Sequence, residues 1–489
     1  MKRNKYFILG ISPSDNAETI RSAYKEAVLR FHPDINPAPE STDEFLEIQA
    51  AFEVLNDDEK RAAYDKEINS SSIISPLKIE NVYSRNVLPP LDEPQIVYTQ
   101  LNIRCNIDPN NVKAAPLAIS FVIDRSTSMQ GERMDKVKSS ITSFIQQLGK
   151  NDIFSVVAFS DRAEVIIPAM RAGSFGIDDE RISMISTKGG TELFHGLAAG
   201  IEQLETNLAK DCRKHLLLFT DGQTYGDEER CLELAMQAIE KKIVISAFGL
   251  GYEWNDKFLD QLSSLTGSNA EFITSSSDLE KFLNEKLITL GLFFSHSVNF
   301  DMTSDEGVEL NYAFRIRPDS AELEPKRNIC LGNVPFSEQL SVIMEFLVPP
   351  ISGETPMVRL AHGFITLESP YWEVPIRMFV QLDCPVRYNP EVSYPPAEIV
   401  QAMSQLVLYR IQEKARIEVD KGNITAAFKR LQYLASHLMS QGNKDLARIV
   451  LREAENIQRN KQFSNDGDKK IKYGTRAFLL PEGKKGIVI

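Results

Sequence analysis

The stretch PLAISFVIDRSTS, residues 116–128, joins an apolar segment to a group of oxygen-bearing side chains. Residues 117–123 are mostly apolar and lack periodic polar breaks, which predicts a strand buried on both faces of a sheet. Asp124 follows directly, and Ser126 and Ser128 come after it on alternate positions. Sheets of α/β proteins carry their binding sites at the carboxyl ends of strands, which is where these side chains stand. Carboxylate and hydroxyl oxygens are ligands suited to a small hard cation such as Mg²⁺. A strand followed by an ordinary Asp/Ser turn is the alternative for this stretch alone.

The composition is typical of a globular intracellular protein. Its 489 residues suggest about three domains, and its formal charge of −13 argues against a general nucleic-acid binder. The five cysteines lack C-x-x-C spacing, which favours reduced thiols over a disulfide framework or a zinc site. The apolar run at the start is too short for a signal peptide, and later apolar stretches are too short to cross a bilayer. We therefore expect a cytoplasmic protein.

Residues 1–68 carry the pattern of a helical hairpin. Apolar residues recur at helical spacing over about 17–30 and 42–55, and a short charged helix is predicted over 58–66. The tripeptide HPD, residues 32–34, separates the two longer helices because a helix does not continue through the proline. One face of the first helix is predicted to be a basic stripe. Its members are Arg21, Lys25 and Arg30.

Residues 5–66 resemble a J domain. The tyrosine and LG at the start, then AYK, RFHPDIN and AFEVLNDDEKRAAYD, occur in the family's order. The resemblance implies that His32, Pro33 and Asp34 stimulate ATP hydrolysis by a DnaK-type chaperone, and that the basic stripe docks on an acidic surface of that chaperone. A solvated helix face is the alternative for the stripe. Nothing after residue 68 resembles the Gly/Phe-rich or zinc-binding regions of general-purpose J proteins, so client choice is expected to come from elsewhere in the chain.

The next segments predict a linker and a β-rich unit. Residues 69–94 have the serine run and the prolines of a linker. Residues 97–107 alternate apolar and polar side chains, as in a half-buried antiparallel strand. Short apolar segments with polar and proline breaks return over 296–385. We expect a β-sandwich made of residues 95–112 and 288–385, with another domain inserted between them.

Residues 115–286 alternate predicted strands and helices, as in a parallel sheet flanked by helices. Two further polar groups stand at strand or loop ends in this region, GGT at residues 189–191 and TDG at residues 220–222. The strands are predicted at 117–123, 153–159, 164–167, 214–220, 243–248 and near 271–274.

The motifs DRSTS, GGTEL and FTDG resemble, in this order, the metal-binding parts of a von Willebrand factor A domain. DRSTS matches its D-x-S-x-S motif, GGTEL its threonine loop and FTDG its second aspartate. The resemblance implies a metal-ion-dependent adhesion site for Mg²⁺, or for Mn²⁺ or Ca²⁺, with one position left open for an acidic residue of a partner. A metal-free fold that keeps these residues for loop hydrogen bonds is the alternative. The implied metal ligands are Asp124, Ser126, Ser128, Thr191 and Asp221.

The same region offers no residue that is clearly placed as a general base. His195, four residues after Thr191, is expected to be a surface or packing residue of the following helix. Arg125 is expected to point outward from between the metal ligands. We therefore expect no catalytic residues and no enzymatic activity.

The carboxyl-terminal part is predicted to be helical. Residues 395–461 contain three helical segments separated by KGN and QGN turns. Apolar faces on these helices favour a bundle packed on the body over a peptide-binding groove. Residues 462–489 have the composition of a flexible polar tail, except that YGTRAFLL, residues 473–480, is apolar enough to dock.

Together these segments predict a multidomain α+β protein, with a helical-hairpin J domain, a doubly wound α/β A domain inserted in a β-sandwich, and a C-terminal helical bundle. The predicted function is a non-catalytic co-chaperone or adaptor that binds an acidic protein partner through its metal and presents that partner to a DnaK-type chaperone. A regulatory subunit of an AAA+ ATPase, or of a kinase or phosphatase signalling assembly, is the alternative. RNA binding is disfavoured by the acidic charge, and extracellular adhesion by the lack of an export signal.

Overall fold

The computed structural model describes most of the chain, which divides into two compact units. One unit comprises Met1–Lys113, Phe294–Phe314 and Leu323–Ile399, and the other comprises Ala114–Phe293, Arg315–Glu322 and Val400–Ile489. The residues described are 4–32, 39–68, 76–108, 116–176, 180–210, 212–222, 226–273, 276–290, 293–336, 338–369, 375–390, 394–464 and 466–477.

The helices and strands are numbered here in chain order. The helices are α1 (Lys5–Leu9), α2 (Ala17–Phe31), α3 (Pro39–Leu55), α4 (Asp58–Ile68), α5 (Glu132–Gln147), α6 (Leu193–Leu204), α7 (Glu228–Glu240), α8 (Asp256–Leu265), α9 (Ser276–Leu290), α10 (Ala397–Asp420), α11 (Ile424–Ser440), α12 (Lys444–Asn460) and α13 (Gly467–Ala477). The strands are β1 (Leu77–Tyr83), β2 (Gln95–Cys105), β3 (Leu117–Asp124), β4 (Ile153–Phe159), β5 (Ala163–Arg171), β6 (Arg213–Thr220), β7 (Ile243–Leu250), β8 (Ala270–Ile273), β9 (Phe293–Thr303), β10 (Glu309–Arg317), β11 (Ala321–Leu323), β12 (Asn328–Pro335), β13 (Gln339–Val348), β14 (Met357–Leu367) and β15 (Ile376–Pro385). None of the described helices is both long enough and apolar enough to span a membrane.

The N-terminal helices pack around their own apolar core. Helix α2 begins where the Asn16 side chain accepts a hydrogen bond from the Thr19 backbone N–H at 2.8 Å, and this cap satisfies an otherwise unpaired donor. The rings of Tyr24 on α2 and Phe52 on α3 stack with centroids 3.9 Å apart. Helix α2 ends at Phe31, and His32 is its C-cap residue. Because α3 begins at Pro39, residues 33–38 lie between α2 and α3 in the sequence.

The first unit also contains most of a β-sandwich. One sheet has the strand order β1-β2-β13-β10-β11, and the other has the order β12-β9-β14-β15. Strand β2 lies between β1 and β13 and is antiparallel to both. The two sheets share a large apolar core, and their strands come from both sides of the α/β domain in sequence. Strand β13, in the middle of its five-stranded sheet, has nine of its ten residues buried.

Strand β1 lies within residues 69–94, which the sequence predicts as a linker. It pairs along its whole length with β2, from Leu77 opposite Cys105 to Tyr83 opposite Thr99. Leu77 is fully buried, whereas Lys78 is exposed. The linker prediction is therefore wrong for residues 77–83, because the surrounding serines and prolines concealed a short strand at the edge of the sheet.

The second unit is built on a sheet with the strand order β5-β4-β3-β6-β7-β8. Strand β3 pairs in parallel with β4 and β6, and β5 is antiparallel to β4 at one edge. All eight residues of β3 are buried, as an unbroken apolar strand with both faces covered requires. Gly200 on α6 allows a close approach to the sheet, since a methyl group there would lie 2.5 Å from Val122 Cγ2. The predicted multidomain α+β class is confirmed.

Helix α13 differs from the prediction of a flexible tail over residues 462–489. Residues 467–477 form this helix, and Ile471 and Tyr473 on it are buried. Lys472 and Arg476 are buried as well, because both pair with carboxylates of α8. The composition of this segment does not reveal that its charged residues pair with a distant helix. Its many charges therefore led to the prediction of a solvated tail. Residues 478–480 of the predicted docking segment lie outside the described residues.

Candidate functional site

Asp124 stands at the carboxyl end of the central strand β3 and is completely buried. Its Oδ1 accepts the Ser126 backbone N–H at 2.8 Å, and its Oδ2 accepts the Thr220 hydroxyl at 2.7 Å. Burial raises the pKa of Asp124 to about 6, and the nearby carboxylate of Asp221 acts in the same direction. A buried carboxylate with a raised pKa is one that an added cation would stabilise in its charged form.

Asp221 follows β6, the parallel neighbour of β3, and is joined to the serine motif by hydroxyl groups. The Ser126 and Ser128 Oγ atoms are 2.9 Å apart, and the Ser128 hydroxyl donates to Asp221 Oδ1 at 2.6 Å. Parallel pairing places Ile123 opposite Phe219, and this register brings both aspartates to the same edge of the sheet. The resemblance to a von Willebrand factor A domain implied that these two aspartates share a site, although it did not identify Thr220 as a partner of Asp124.

Thr191 reaches the same place from the loop before α6 and is buried. A methyl group on Gly222 would lie 3.2 Å from Thr191 Oγ1 and 3.9 Å from Asp124 Oδ2, so the three residues border one small space. Asp161, which sequence reasoning missed, fixes the loop by accepting the Gly190 N–H at 2.8 Å. The structure therefore brings together all five residues that the sequence predicts as metal ligands.

These residues fit a hard divalent cation. They supply two buried carboxylates and three hydroxyls, which is an oxygen-only donor set of the kind that Mg²⁺ prefers. In the described residues no group of three or more His, Cys, Asp or Glu side chains is placed to hold a metal. The candidate site differs from a histidine or carboxylate cage, because three of its five donor side chains carry hydroxyl groups. The five residues are Asp124, Ser126, Ser128, Thr191 and Asp221.

Arg133, at the start of α5, is a second residue that sequence reasoning missed. Its Nη1 lies 2.5 Å from Asp221 Oδ2 and also donates to the Ser128 carbonyl at 3.4 Å. The Asp221 side chain is fully buried, whereas that of Arg133 is 46% exposed. The guanidinium thus supplies a positive charge to a buried carboxylate while remaining free to move toward solvent.

Arg125 and His195 have surroundings that bear on the predictions made for them. Arg125 was expected to point outward, but it is buried and its Nη1 pairs with Glu164 Oε2 at 2.7 Å. Glu164 lies on β5, and its carboxylate offsets the cost of burying the Arg125 guanidinium. His195 lies on the surface of α6 with its Nε2 3.1 Å from Glu192 Oε2.

A cavity of about 600 Å³ opens beside these residues. The C-terminal region supplies its far wall, which includes Phe463 and Lys469. The Lys469 ammonium donates to the Tyr252 carbonyl at 2.5 Å and lies 5.1 Å from the centre of the Trp254 ring. A cleft of this size allows a bound molecule to contact the protein through more groups than the one that would bind a cation. The lining residues are Ser126, Thr127, Ser128, Gly189, Gly190, Thr191, Gly222, Tyr252, Glu253, Phe463, Ser464, Asp468 and Lys469.

Buried ion pairs hold α13 against α8 and so fix this wall. Asp260 accepts two hydrogen bonds from Arg476, at 2.7 and 2.8 Å, and lies 2.8 Å from the Lys472 ammonium. Asp256 is paired with Lys472 at 2.5 Å and with Arg416 of α10 at 2.8 Å. Burial alone would raise the pKa of Asp260, but the adjacent cations outweigh it and hold that pKa below its ordinary value.

The predicted chaperone-binding residues of α2 do not share one exposed face. Arg21 and Lys25 are exposed, whereas the Arg30 side chain is only 15% exposed and pairs with Asp301 of β9. Nine residues separate Arg21 from Arg30, about two and a half helical turns, so their side chains point in opposite directions. The prediction that Arg30 shares one exposed basic face with Arg21 and Lys25 is therefore wrong. Pro33 and Asp34 lie outside the described residues.

Three family models match successive parts of the chain. The model "DnaJ domain" matches residues 4–65, "von Willebrand factor type A domain" matches residues 118–285, and "Sll0103-like, C-terminal alpha-helical domain" matches residues 397–481. The chain is therefore a multidomain protein with an N-terminal J domain and a von Willebrand factor A domain. Both predicted resemblances are confirmed, and the third match adds a domain type that sequence reasoning had described only as helices.

Two relatives in sequence match this chain over very different lengths. It is 24% identical over 393 residues to the "Uncharacterized protein sll0103" of Synechocystis sp., covering 75% of this chain and 89% of the relative. It is 48% identical over 65 residues to the "Chaperone protein DnaJ" of Geobacillus thermodenitrificans, covering 13% of this chain and 17% of the relative. The chain thus spans less than a fifth of the length of the DnaJ relative.

Two solved structures share the fold over most of the chain. A von Willebrand factor type A protein from Catenulispora acidiphila has a TM-score of 0.66 at 15% identity, over 83% of this chain and 97% of that one. The ArnB paralog VWA2 from Sulfolobus acidocaldarius has a TM-score of 0.53 at 15% identity, over 83% and 99%. At this identity the similarity concerns the fold alone.

The ion-pair cluster predicts a measurable contribution to stability. Asp260→Asn leaves the buried Arg476 without its carboxylate, so we expect the free energy of unfolding of the second unit to fall by about 3 kcal/mol. Because the pKa of Asp260 is lowered on folding, this contribution is complete above the ordinary pKa of an aspartate and is lost as the pH falls below it. Urea denaturation followed by tryptophan fluorescence measures it in a Trp372→Phe background, in which the signal comes from Trp254, whose ring packs near that of Tyr473 of α13.

Asp466→Asn is the matched control, since that carboxylate is 41% exposed, stands just before α13 and pairs with Lys470 at the start of that helix. We expect a loss of about 0.5 kcal/mol or less from this change. Equal effects of the two substitutions would contradict a special role for the buried pairs.

Proposed function

We propose that this protein is a non-catalytic co-chaperone adaptor that binds a protein partner through a Mg²⁺-dependent site and recruits a DnaK-type chaperone through its J domain. The observation that carries the proposal is the convergence of Asp124, Asp221 and three hydroxyl residues beside an open cavity, in a chain that also carries a J domain. The domain composition alone supports a co-chaperone and protein-interaction role in general.

The A domain would hold the cation with the residues that meet at the end of β3. Mg²⁺ would supply a strong positive charge and a coordination position for an oxygen ligand from outside. The chain's own contribution is to bury and orient the two carboxylates, with Ser126 N–H and Thr220 fixing Asp124, and Ser128 fixing Asp221. The cavity then admits an acidic side chain of the partner, which the cation attracts more strongly than a neutral one.

The J domain would supply the chaperone-directed half of the activity. Exposed Arg21 and Lys25 on α2 present positive charge to an acidic partner surface, and such charges increase association rates and fix orientation. The segment His32-Pro33-Asp34 would stimulate ATP hydrolysis, as in the DnaJ proteins that this domain resembles. A partner bound at the A domain would thereby be brought to the chaperone on the same molecule.

Magnesium binding tests the first half of the proposal. Asp124→Asn keeps the size of the side chain but removes its charge, so we expect Mg²⁺ affinity to fall by about a hundredfold or more, measured by isothermal titration calorimetry. Glu192→Gln is the control, since Glu192 is an exposed acid beside Thr191 that is not among the ligands. Wild-type affinity in Asp124→Asn would contradict the metal site.

Arg133 is expected to compete with the cation for Asp221. Arg133→Met removes the guanidinium that pairs with this carboxylate, so we expect Mg²⁺ to bind about tenfold more tightly. Calorimetric titration with MgCl₂ measures the change. Arg162→Met removes the same charge from an exposed position on the β4–β5 turn and controls for the loss of net charge. Weaker binding in Arg133→Met would show that this residue supports the ion instead.

Stimulation of a DnaK-type chaperone tests the second half. His32→Gln is expected to reduce the chaperone's ATPase rate to that of the chaperone alone, while Mg²⁺ binding by the A domain stays unchanged. A steady-state ATPase assay with purified DnaK provides the measurement. His437→Gln makes the same substitution at a half-buried position of α11, outside the J domain, and is expected to stimulate normally. Full stimulation by His32→Gln would remove the J domain from the proposed mechanism.

A further inference from the structure

The carboxyl-terminal end of α2 is packed against the sheet that contains β9, β14 and β15. This is the end of the helix from which the His32-Pro33-Asp34 segment follows, and the J domain and this sheet belong to the same compact unit. The contacts are of several kinds, and each joins a side chain or backbone group of the J domain to one of these strands.

Arg30 makes the first contact. Its Nη1 pairs with the Asp301 carboxylate of β9, and its Nη2 donates to the Asp301 carbonyl at 2.9 Å. The guanidinium also lies 5.6 Å from the centre of the Phe364 ring of β14. One cation expected to face a chaperone is thus engaged by a carboxylate, a carbonyl and an aromatic ring of the chain itself.

Arg377 of β15 makes the second contact and reaches both long helices of the J domain. Its guanidinium lies 4.4 Å from the centre of the Phe31 ring at the end of α2, and it pairs with Glu44 of α3. Phe31 and Glu44 stand on either side of the segment that carries the HPD tripeptide. A single side chain of the sheet therefore holds both helices near the base of that segment.

Apolar and backbone contacts extend this interface. Phe364 and Phe379 of the sheet belong to the same buried cluster as Leu9 and Ile20 of the J domain. The Phe379 N–H donates to the Gly10 carbonyl, so backbone groups of the J domain and of β15 are also joined. Burial of two aromatic rings together with these polar contacts makes the packing specific in both position and orientation.

A further ion pair lies within the same interface. The His362 Nε2 of β14 is 3.3 Å from Glu26 Oε2, and Glu26 also accepts a hydrogen bond from Arg30 at 2.7 Å. Burial acts to raise the pKa of Glu26, but hydrogen bonds from His362 and Arg30 outweigh it and hold that pKa below its ordinary value. The carboxylate thus stays charged between two donors, one from each side of the interface.

We infer that the sheet of β9, β14 and β15 restrains the J domain and competes with a DnaK-type chaperone for the end of α2 around Arg30 and Phe31. The inference rests on the proposed chaperone recruitment and adds that recruitment is restrained within the molecule. Arg21 and Lys25 remain exposed in the docked arrangement, so the chaperone meets only part of the basic surface. If the undocked form is about one tenth of the population, the apparent affinity for the chaperone is about tenfold weaker than the intrinsic affinity.

Charge reversal on the sheet tests this inference without altering the J domain. In the full chain, Asp301→Lys combined with Arg377→Glu places like charges opposite Arg30 and Glu44. We expect the concentration that gives half-maximal stimulation of the DnaK ATPase to fall about tenfold relative to the wild type. His32→Gln in the same background is expected to abolish the stimulation, which ties any gain to the J domain.

Two further variants keep the test decisive. Glu306→Lys makes the same charge change as Asp301→Lys in the exposed turn after β9 and is expected to behave as the wild type. Arg377→Gln removes the contacts with Phe31 and Glu44 without adding a repulsive charge, and replaces the double variant if that protein fails to fold. Faster amide hydrogen exchange across residues 17–31 in the charge-reversal variant would show that the J domain has undocked.

The outcomes separate the two proposals. If wild type and undocked variant stimulate DnaK with the same concentration dependence, the restraint is wrong while chaperone recruitment stands. If neither protein stimulates DnaK at any concentration, chaperone recruitment itself is wrong, and the inference falls with it. A tenfold gain that is lost with His32→Gln supports both.

Discussion

Parallel pairing of β3 with β6 is the constraint on which the A-domain site depends. It places Asp124 and Asp221 at one edge of a buried sheet, although nothing in their local sequence requires the two carboxylates to meet. Two buried like charges repel each other and lose their hydration, which costs several kcal/mol unless other groups compensate. The surrounding donors are that compensation. Thr220, the Ser126 N–H and the Ser128 hydroxyl bind the carboxylates from within the fold, and Arg133 adds a positive charge from the surface.

An element or a site could be predicted from the sequence where the pattern that indicates it lies within one continuous stretch of residues. The central strand β3 is a continuous apolar run, and its polar motif stands directly at its end, so position and chemistry were both visible. The J-domain helices were predictable for the same reason, because their apolar spacing is periodic over whole helices. Strand β1 was missed because it is short and lies among serines and prolines.

Features that depend on pairing between distant segments could not be predicted in the same way. Helix α13 is rich in charged residues, which are usually exposed to water, yet Lys472 and Arg476 are buried against carboxylates of α8, more than 200 positions earlier in the chain. The side chain of Arg125 turns inward because Glu164 on a neighbouring strand receives it. Arg30 is a different kind of error, since helical geometry alone places it opposite Arg21 and the spacing was available in the sequence.

The contact between the J domain and the sheet has a consequence that follows from chain connectivity. Because Arg30, Asp301 and Arg377 belong to one polypeptide, docking is a unimolecular equilibrium whose position does not change on dilution. For tethered partners of this kind the effective local concentration is on the order of millimolar. A chaperone in free solution must therefore compete with a surface that is always present at the same effective concentration. The fraction of J domains that the chaperone occupies will depend on the concentration of the chaperone and not on that of this protein. The molecule would in this way respond to the supply of free chaperone in its surroundings.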